Sequence, residues 1–275
     1  MKEDRAARPP IPARAAASLL LARDGPEGPE LFLLARSRDS AFASGALVYP
    51  GGTVDEADRN PALRARVEGS DDLDAEGLAL RIAAIREAFE ECGILLARAR
   101  GSTELVGRGR VDAIKRRFAS ALADHSLDML ALAEAEDLLL AGDRLVPFAH
   151  WITPESQPKR FDTHFFLAGA PREQEARHDG HESTASVWIT PAALVEAADA
   201  GKWYVMFPTR LNAQKFGRSA TVAEALAAAR SAPVVTVMPR GQKVEGGRRL
   251  RIPAGAGYGL TEAFVDARGA FTRLG

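Results

Sequence analysis

Nine residues, REAFEECGI at Arg86 to Ile94, hold three glutamates in a pattern that could do chemistry. Glu87, Glu90 and Glu91 stand at i, i+3 and i+4. With about 100° of rotation per residue, a helix gathers their carboxylates within an arc of roughly 100°. Ile82, Ile85, Phe89 and Cys92 fall on the opposite side, so one face is core and the other acidic. Three like charges that close repel one another. A hard divalent cation such as Mg²⁺ or Mn²⁺ relieves the repulsion, because it takes oxygen ligands and keeps several waters. Arg86, one turn before Glu90, is placed to pair with it and orient a carboxylate. The bland alternative is an amphipathic helix with a solvated acidic face, and the helix alone does not decide.

A second chemical feature lies upstream, in YPGGTVDEADRNP at Tyr49 to Pro61. Gly51 and Gly52 let the backbone turn tightly, and an acidic residue, Asp58, stands six positions after Gly52.

These groups can meet only if the chain carries the Gly-Gly turn to the acidic helix. Two β-type runs, Ala15 to Asp24 and Glu30 to Arg38, flank the turn signal GPEGP and predict a hairpin-like pair. A third short run, ALVYP, ends at the Gly-Gly turn. The polar stretch from Arg59 to Gly77 has no clear period. A helix is expected from about Gly77 to Cys92, stopped by Gly93. Val111 to Gly142 reads as one broken helix or two short ones, with a break near Asp124-His125-Ser126. Strands are expected at Arg144 to Thr153, Arg160 to Ala170 and Ala185 to Thr190. A helix then begins with Thr190 as N-cap and Pro191 at its first position. Short helices fit Thr209 to Phe216 and Thr221 to Ser231, and a late strand fits Pro233 to Pro239. The Gly-rich AGAGYGL is expected to be an irregular tail. Interleaved strands and helices, with no repeat and no dividing linker, favour one α/β or α+β sandwich domain over residues 1–275.

Composition narrows the function classes. The 275 residues are 46% hydrophobic and 27% charged, with a net charge of −1, which does not favour a nucleic-acid or membrane-surface protein. The basic IKRRF at Ile114 to Phe118 reads as a solvated helix face. Cys92 is the single cysteine, so an intrachain disulfide and a thiolate cluster are excluded and a reducing, cytoplasmic setting fits. Cys92 sits on the core face of the helix, where a thiol is expected to be inert. No apolar run approaches the ~20 residues of a membrane span, and AAASLLLA near the N-terminus reads as a strand rather than a signal peptide.

Taken together, the turn and the helix resemble the two halves of the Nudix hydrolase signature: G, five residues, E, seven residues, then R-E-U-x-E-E-x-G-U, with U apolar. Arg86 to Ile94 matches the second half with Ala88 as U, and Gly52 fits the first glycine. Asp58 stands where the family has glutamate, and the 27 residues 59–85 intervene before Arg86 instead of seven. The upstream motif of the coenzyme A branch agrees at Leu33, Leu34, Ser37, Gly45, Pro50, Gly51 and Gly52. Tyr49 replaces its Phe, Ala35 a Thr and Ala41 an Arg, while Arg36 remains as a substrate contact. With HWITPESQPKRFDTHFF further on, the pattern over about residues 12–215 is similar to the peroxisomal acyl-coenzyme A diphosphatase type and its bacterial relatives.

The resemblance implies a Nudix α/β/α sandwich with a mixed central sheet. It would carry a loop insertion at about 59–78, a helical insertion at about 111–142 and a C-terminal extension at about 219–275. It also implies Mg²⁺- or Mn²⁺-dependent hydrolysis of a diphosphate in a small nucleoside diphosphate derivative. Coenzyme A or its thioesters would be split to 4′-phosphopantetheine and adenosine 3′,5′-bisphosphate. Glu87, Glu90 and Glu91 are then metal ligands, Glu87 also a candidate base, Arg86 the orienting residue and Asp58 a further ligand through water. Glu182, in a later loop beside His178 and His181, is a candidate for the extra glutamate that many members use. Arg160 is a candidate substrate contact, against the blander reading of a charged strand start. ADP-ribose or NADH is the rival substrate, and a non-catalytic Nudix-fold binding domain the rival class. The region 111–142 has two roles open, a cover over the site or the contact of a homodimer.

Overall fold

Ala16 to Ala22 are all nearly buried, which marks a strand covered on both faces. In the computed structural model, which describes residues 11–36, 45–180, 183–266 and 271–274, this run is the centre of the main sheet. It forms β1 (Arg14–Gly25), joined by a tight turn to β2 (Gly28–Arg36), the expected hairpin pair. The short β3 (Ala46–Val48) and β4 (Gly51–Thr53) follow, then α1 (Ala75–Cys92) and β5 (Ala97–Ala99). Three short helices come next, α2 (Arg108–Arg117), α3 (Ala119–Ala123) and α4 (Met129–Ala135), then β6 (Leu138–Leu140). The chain continues through β7 (Val146–Ile152), β8 (Phe161–Gly169), β9 (Ser183–Ile189), α5 (Pro191–Asp199) and β10 (Tyr204–Val205). It closes with α6 (Phe207–Phe216), α7 (Val222–Ser231), β11 (Thr236–Val237), β12 (Arg240–Val244), β13 (Gly247–Arg251), β14 (Glu262–Asp266) and β15 (Phe271–Arg273).

The main sheet is mixed, in the order β10-β3-β2-β1-β8-β7-β11, with β4 also on β1 and β9 on β2. β1 and β8 run parallel along nine residue pairs, from Arg14 and Phe161 to Ala22 and Gly169. One face carries α1, α2 and α4 over a core that includes Leu19, Phe32, Ile85, Phe89 and Phe166. The other carries α5, α6 and α7 over Leu20, Leu33, Trp151, Leu167 and Phe216. The result is the α/β/α sandwich with a mixed sheet that the sequence led one to expect.

Helix boundaries follow local chemistry. Asp74 accepts the Gly77 N–H at 2.7 Å and caps α1 two residues earlier than expected. Gly93, at φ 70°, ends it in the left-handed conformation, with the Ile94 N–H returning to Ala88 O. Thr190 caps α5 with Pro191 at its first turn, as its sequence predicts.

Three expectations are corrected. The region 111–142 holds three helices and not one or two, and its end, Leu138–Leu140, is a strand paired with β5. An apolar triplet is too short for periodicity to separate helix from strand. After residue 239 the chain forms a separate four-stranded sheet, β12-β13-β14-β15, around the irregular AGAGYGL. Its first two strands, β12 and β13, are charged and largely exposed, so no apolar alternation announces them, although Glu245-Gly246 between them is a hairpin cue. This small sheet is tied to the sandwich through Tyr258, which accepts from Trp151 Nε1 at 2.8 Å and donates to Asn212 Oδ1 at 2.6 Å.

Candidate active site

The acidic face of α1 is not solvated. Arg86 and Glu91 are 3% and 6% exposed, and the Glu90 side chain is 4% exposed. Burying such groups is costly unless they are paired, and one guanidinium does most of the pairing. Arg86 Nε lies 3.1 Å from Asp58 Oδ1, and Nη2 lies 3.0 Å from Oδ2. Nη1 donates to Glu87 Oε1 and to Glu90 Oε2, each at 2.9 Å, and Nη2 also reaches Thr53 O at 2.9 Å. Asp55 completes the ring of carboxylates, 3.5 Å from Nη2.

Asp58 is thereby engaged by Arg86, and its Oδ2 also accepts the Asp55 N–H at 2.9 Å. The 27 intervening residues do not separate it from the helix, because they fold back on themselves. Asn60 caps a 3₁₀ turn at Pro61–Arg66, Leu63 is fully buried, and Glu68 N bonds Leu140 O at 2.9 Å.

β4 brings the turn to the same place by pairing with β1, Ala17 beside Gly52 and Ser18 beside Gly51. The Gly51 N–H donates to Glu91 Oε2 at 2.8 Å, which fixes that carboxylate. A Cβ on Gly51 would stand 2.7 Å from Ser18 Cα, a backbone atom that cannot yield. Gly51→Ala is expected to cost about 1–3 kcal/mol, read as a lower urea midpoint. An unchanged midpoint would show that β4 is free to shift. A Cβ on Gly52 would stand 2.6 Å from Glu87 Cδ, so Glu87 lies directly over that glycine.

Electrostatics follow from this crowding. Burial opposes the charge of Arg86, yet its hydrogen bonds to Asp58 and the charges of Glu87, Asp58 and Glu90 hold it above its ordinary range. Burial pushes the Glu87 carboxyl up to about 7; Arg86 opposes the shift and Glu90 adds to it. Glu90 is raised by burial against the pull of Arg86, and His125, in the turn between α3 and α4, acts on it favourably. The helical region therefore reaches within electrostatic range of the acidic cluster. Glu87 in the folded, metal-free chain keeps its proton up to about 7, whereas its ordinary value is 4.5. Between those values the folded state binds more protons than the unfolded one, so stability falls as pH rises through the window. The urea midpoint without metal is expected to be higher at pH 5 than at pH 7.5, with the difference shrinking in Glu87→Gln. An equal slope in that variant would assign the dependence elsewhere.

The donor set suits a hard cation. Arg86 Nη1 holds Glu87 and Glu90 side by side, and Glu90 Oε1 is buried with no hydrogen-bond partner among the described residues. A buried anionic oxygen left this way calls for a counter-ion.

Arg160 is 8% exposed, and its guanidinium is engaged by Thr153 O at 3.0 Å and Ile11 O at 2.6 Å. These contacts tether its guanidinium at the start of β8. Arg36 ends β2 beside Ser183 of β9. Glu182, His181, Ser37 and Ala41 lie outside the described residues, while His178 contacts Ser186 Oγ at 3.0 Å. Burial pushes the Cys92 thiol up to about 12, as expected of an inert core residue. Sequence reasoning missed Asp55 and Thr53, whose spacing from Arg86 carries no signal before the turn and helix meet.

A family model described as the NUDT19 Nudix domain matches residues 59–212, a stretch that includes Arg86 to Glu91. Putative nudix hydrolase 7 of Caenorhabditis elegans is 30% identical over 207 residues, which cover 74% of this chain and 61% of that protein. Acyl-coenzyme A diphosphatase NUDT19 of Homo sapiens is 29% identical over 212 residues, covering 62% of this chain and 56% of its own length. The matched stretches thus span less than two thirds of these curated relatives. The crystal structure of a NUDIX hydrolase from Alicyclobacillus acidocaldarius superposes with a TM-score of 0.65 at 26% identity, covering 79% of this chain and 96% of that one.

Proposed function

The chain belongs to the Nudix hydrolases, in their NUDT19 branch, and we propose that it hydrolyses the diphosphate linkage of coenzyme A or an acyl-coenzyme A. The observation that carries this reading is the buried, unpartnered Glu90 Oε1 beside Glu87 and Glu91, held on one helix by Arg86. Glu90 and Glu91 would hold Mg²⁺ or Mn²⁺, with Glu87 as a third ligand or as the base. When bound, such an ion neutralises phosphate oxygens and acidifies water.

The remaining work falls to the chain. Arg86 holds Glu87 and Glu90 together, and the Gly51 N–H fixes the Glu91 carboxylate. Glu87, lying over Gly52, is the first candidate to accept a proton from water as the water oxygen bonds to phosphorus. The anhydride P–O bond breaks, leaving 4′-phosphopantetheine, or its acyl form, and adenosine 3′,5′-bisphosphate. Glu182 stays a second candidate for the base, and Arg36 a candidate contact to the substrate. Asp58 acts through Arg86 as a positioning residue, alongside its expected role through water. We read residues 1–275 as one domain working in a reducing, cytoplasmic setting, consistent with its single buried thiol; among the described residues no helix is long and apolar enough to cross a membrane. The helical region 111–142 keeps both of its candidate roles, a cover over the site and the contact of a homodimer.

The test is a Mg²⁺-dependent hydrolysis screen of coenzyme A, acyl-coenzyme A, ADP-ribose and NADH, with products separated by mass. Coenzyme A species are expected to be cleaved fastest. Preference for ADP-ribose would replace the substrate but keep the chemistry, whereas tight binding of one compound without cleavage would support the non-catalytic alternative. Chelation of divalent ions is expected to abolish turnover, and Mg²⁺ or Mn²⁺ to restore it. Gly52→Ala is expected to lower kcat about tenfold, because it displaces the Glu87 carboxylate lying over it, with little change in the urea midpoint.

A further inference from the structure

A second set of donor groups stands apart from the glutamates. His150 on β7 and Asp162 and His164 on β8 bring three ligand atoms within 4.8 Å of one another. Strand register puts them on one face. His150 pairs with His164, and Asp162 precedes His164 by two positions. The imidazoles stack with centroids 4.0 Å apart, and the Nε2 atom of each lies near Asp162 Oδ1: His150 in hydrogen-bond contact, His164 at 3.9 Å. Donors around one ion at about 2.1 Å stand at most about 4.2 Å apart, so the three atoms, now within 4.8 Å, need to close in by a few tenths of an ångström to share one ion. His150 Nδ1 meets Thr236 Oγ1 of β11 at 2.8 Å, an outer contact of the kind that orients a ligating imidazole.

We propose that His150, Asp162 and His164 form a second divalent-metal site, with two imidazoles and one carboxylate selecting a borderline ion such as Zn²⁺ over Mg²⁺. Its side chains are 15%, 38% and 36% exposed in that order, so coordination positions remain open to solvent and to an anionic oxygen. It is separate from the glutamate site. Gly52, Ala17, His164, His150 and Thr236 form one row across five strands, with Glu87 over Gly52 at one end. Two strand spacings, about 10 Å, separate Gly52 from His164, whereas paired ions acting on one phosphate stand about 4 Å apart. The inference does not depend on the hydrolytic reading.

The test is a calorimetric titration of Zn²⁺ into the full chain held in excess Mg²⁺. One Zn²⁺ per chain is expected, with affinity falling at least about 100-fold in His164→Gln and in Asp162→Asn and unchanged in Glu90→Gln. Circular dichroism establishes that the variants are folded. If they are not, wild type decides by itself: Zn²⁺ in excess Mg²⁺ is expected to shield His150 and His164 from diethylpyrocarbonate. No Zn²⁺ bound in excess Mg²⁺, binding lost only in Glu90→Gln, or unshielded histidines would each overturn the proposal.

Discussion

Glu90→Gln is expected to lower Mg²⁺-dependent turnover by about a thousandfold or more, roughly 4 kcal/mol in the barrier, while leaving the urea midpoint near wild type. The side chain is 4% exposed, and one oxygen is already occupied by Arg86 at 2.9 Å. An amide keeps the shape and can still accept that hydrogen bond, so packing is conserved. It removes the negative charge from the unpartnered oxygen, Oε1, and with it the strongest call for a cation. Stability should not suffer, since burial already disfavours the charge at Glu90. The informative comparison is activity against midpoint in the same variant. Turnover within about tenfold of wild type would remove Glu90 from the metal set; a collapse of the midpoint would make it a structural residue.

Arg86→Met is expected to be the most destabilising single change in the site, by about 3–5 kcal/mol. Methionine fills similar space but leaves Asp58, Glu87 and Glu90 without their shared counter-charge. Arg86→Lys should recover only part of the loss, because one ammonium cannot replace a planar fork that reaches Asp58, Glu87, Glu90 and Thr53 O together. Two further measurements separate charge from packing. Mg²⁺ should raise the midpoint of Arg86→Met more than that of wild type, since the ion takes over part of the neutralisation. Asp58→Asn should cost less in the Arg86→Met background than alone, a coupling that a double-mutant cycle measures. Additive losses and no response to Mg²⁺ would mean that Arg86 acts through packing and not through the carboxylates.

Much of the acidic site was readable in the sequence because helical spacing is local. Glu87, Glu90 and Glu91 had to share a face once a helix formed, and Gly93 had to end it. The turn at Gly51-Gly52 was readable for the same reason. Asp58 was found by its distance from Gly52, but its grip on Arg86 depends on the fold of the 27 residues between them, which spacing does not encode. Arg160 illustrates the opposite limit. Its neighbour Ile11 is 149 positions away, and nothing in KRFDTHFF announces that its guanidinium will be occupied by backbone carbonyls. The row from Gly52 to Thr236 is invisible for a related reason: it is created by strand register, and each member is unremarkable among its sequence neighbours. The start of the small C-terminal sheet escaped because the polar, exposed β12 and β13 leave no hydrophobic period to read.

The parallel ladder between β1 and β8 bears on how the protein comes into being on the ribosome. The strand that supports the Gly-Gly turn is made first, yet its full-length partner arrives only at Phe161–Gly169. Antiparallel neighbours of β1 can form from nearby chain, but one edge of that apolar strand waits for more than a hundred further residues to be translated. At about 5–20 residues per second this is a delay of roughly 7 to 30 seconds, during which an unpaired, apolar edge is open to other nascent chains. Synthesis speed through residues 25–169, and chaperone capture during that interval, should therefore govern the yield of active protein more than any step after the last residue is added.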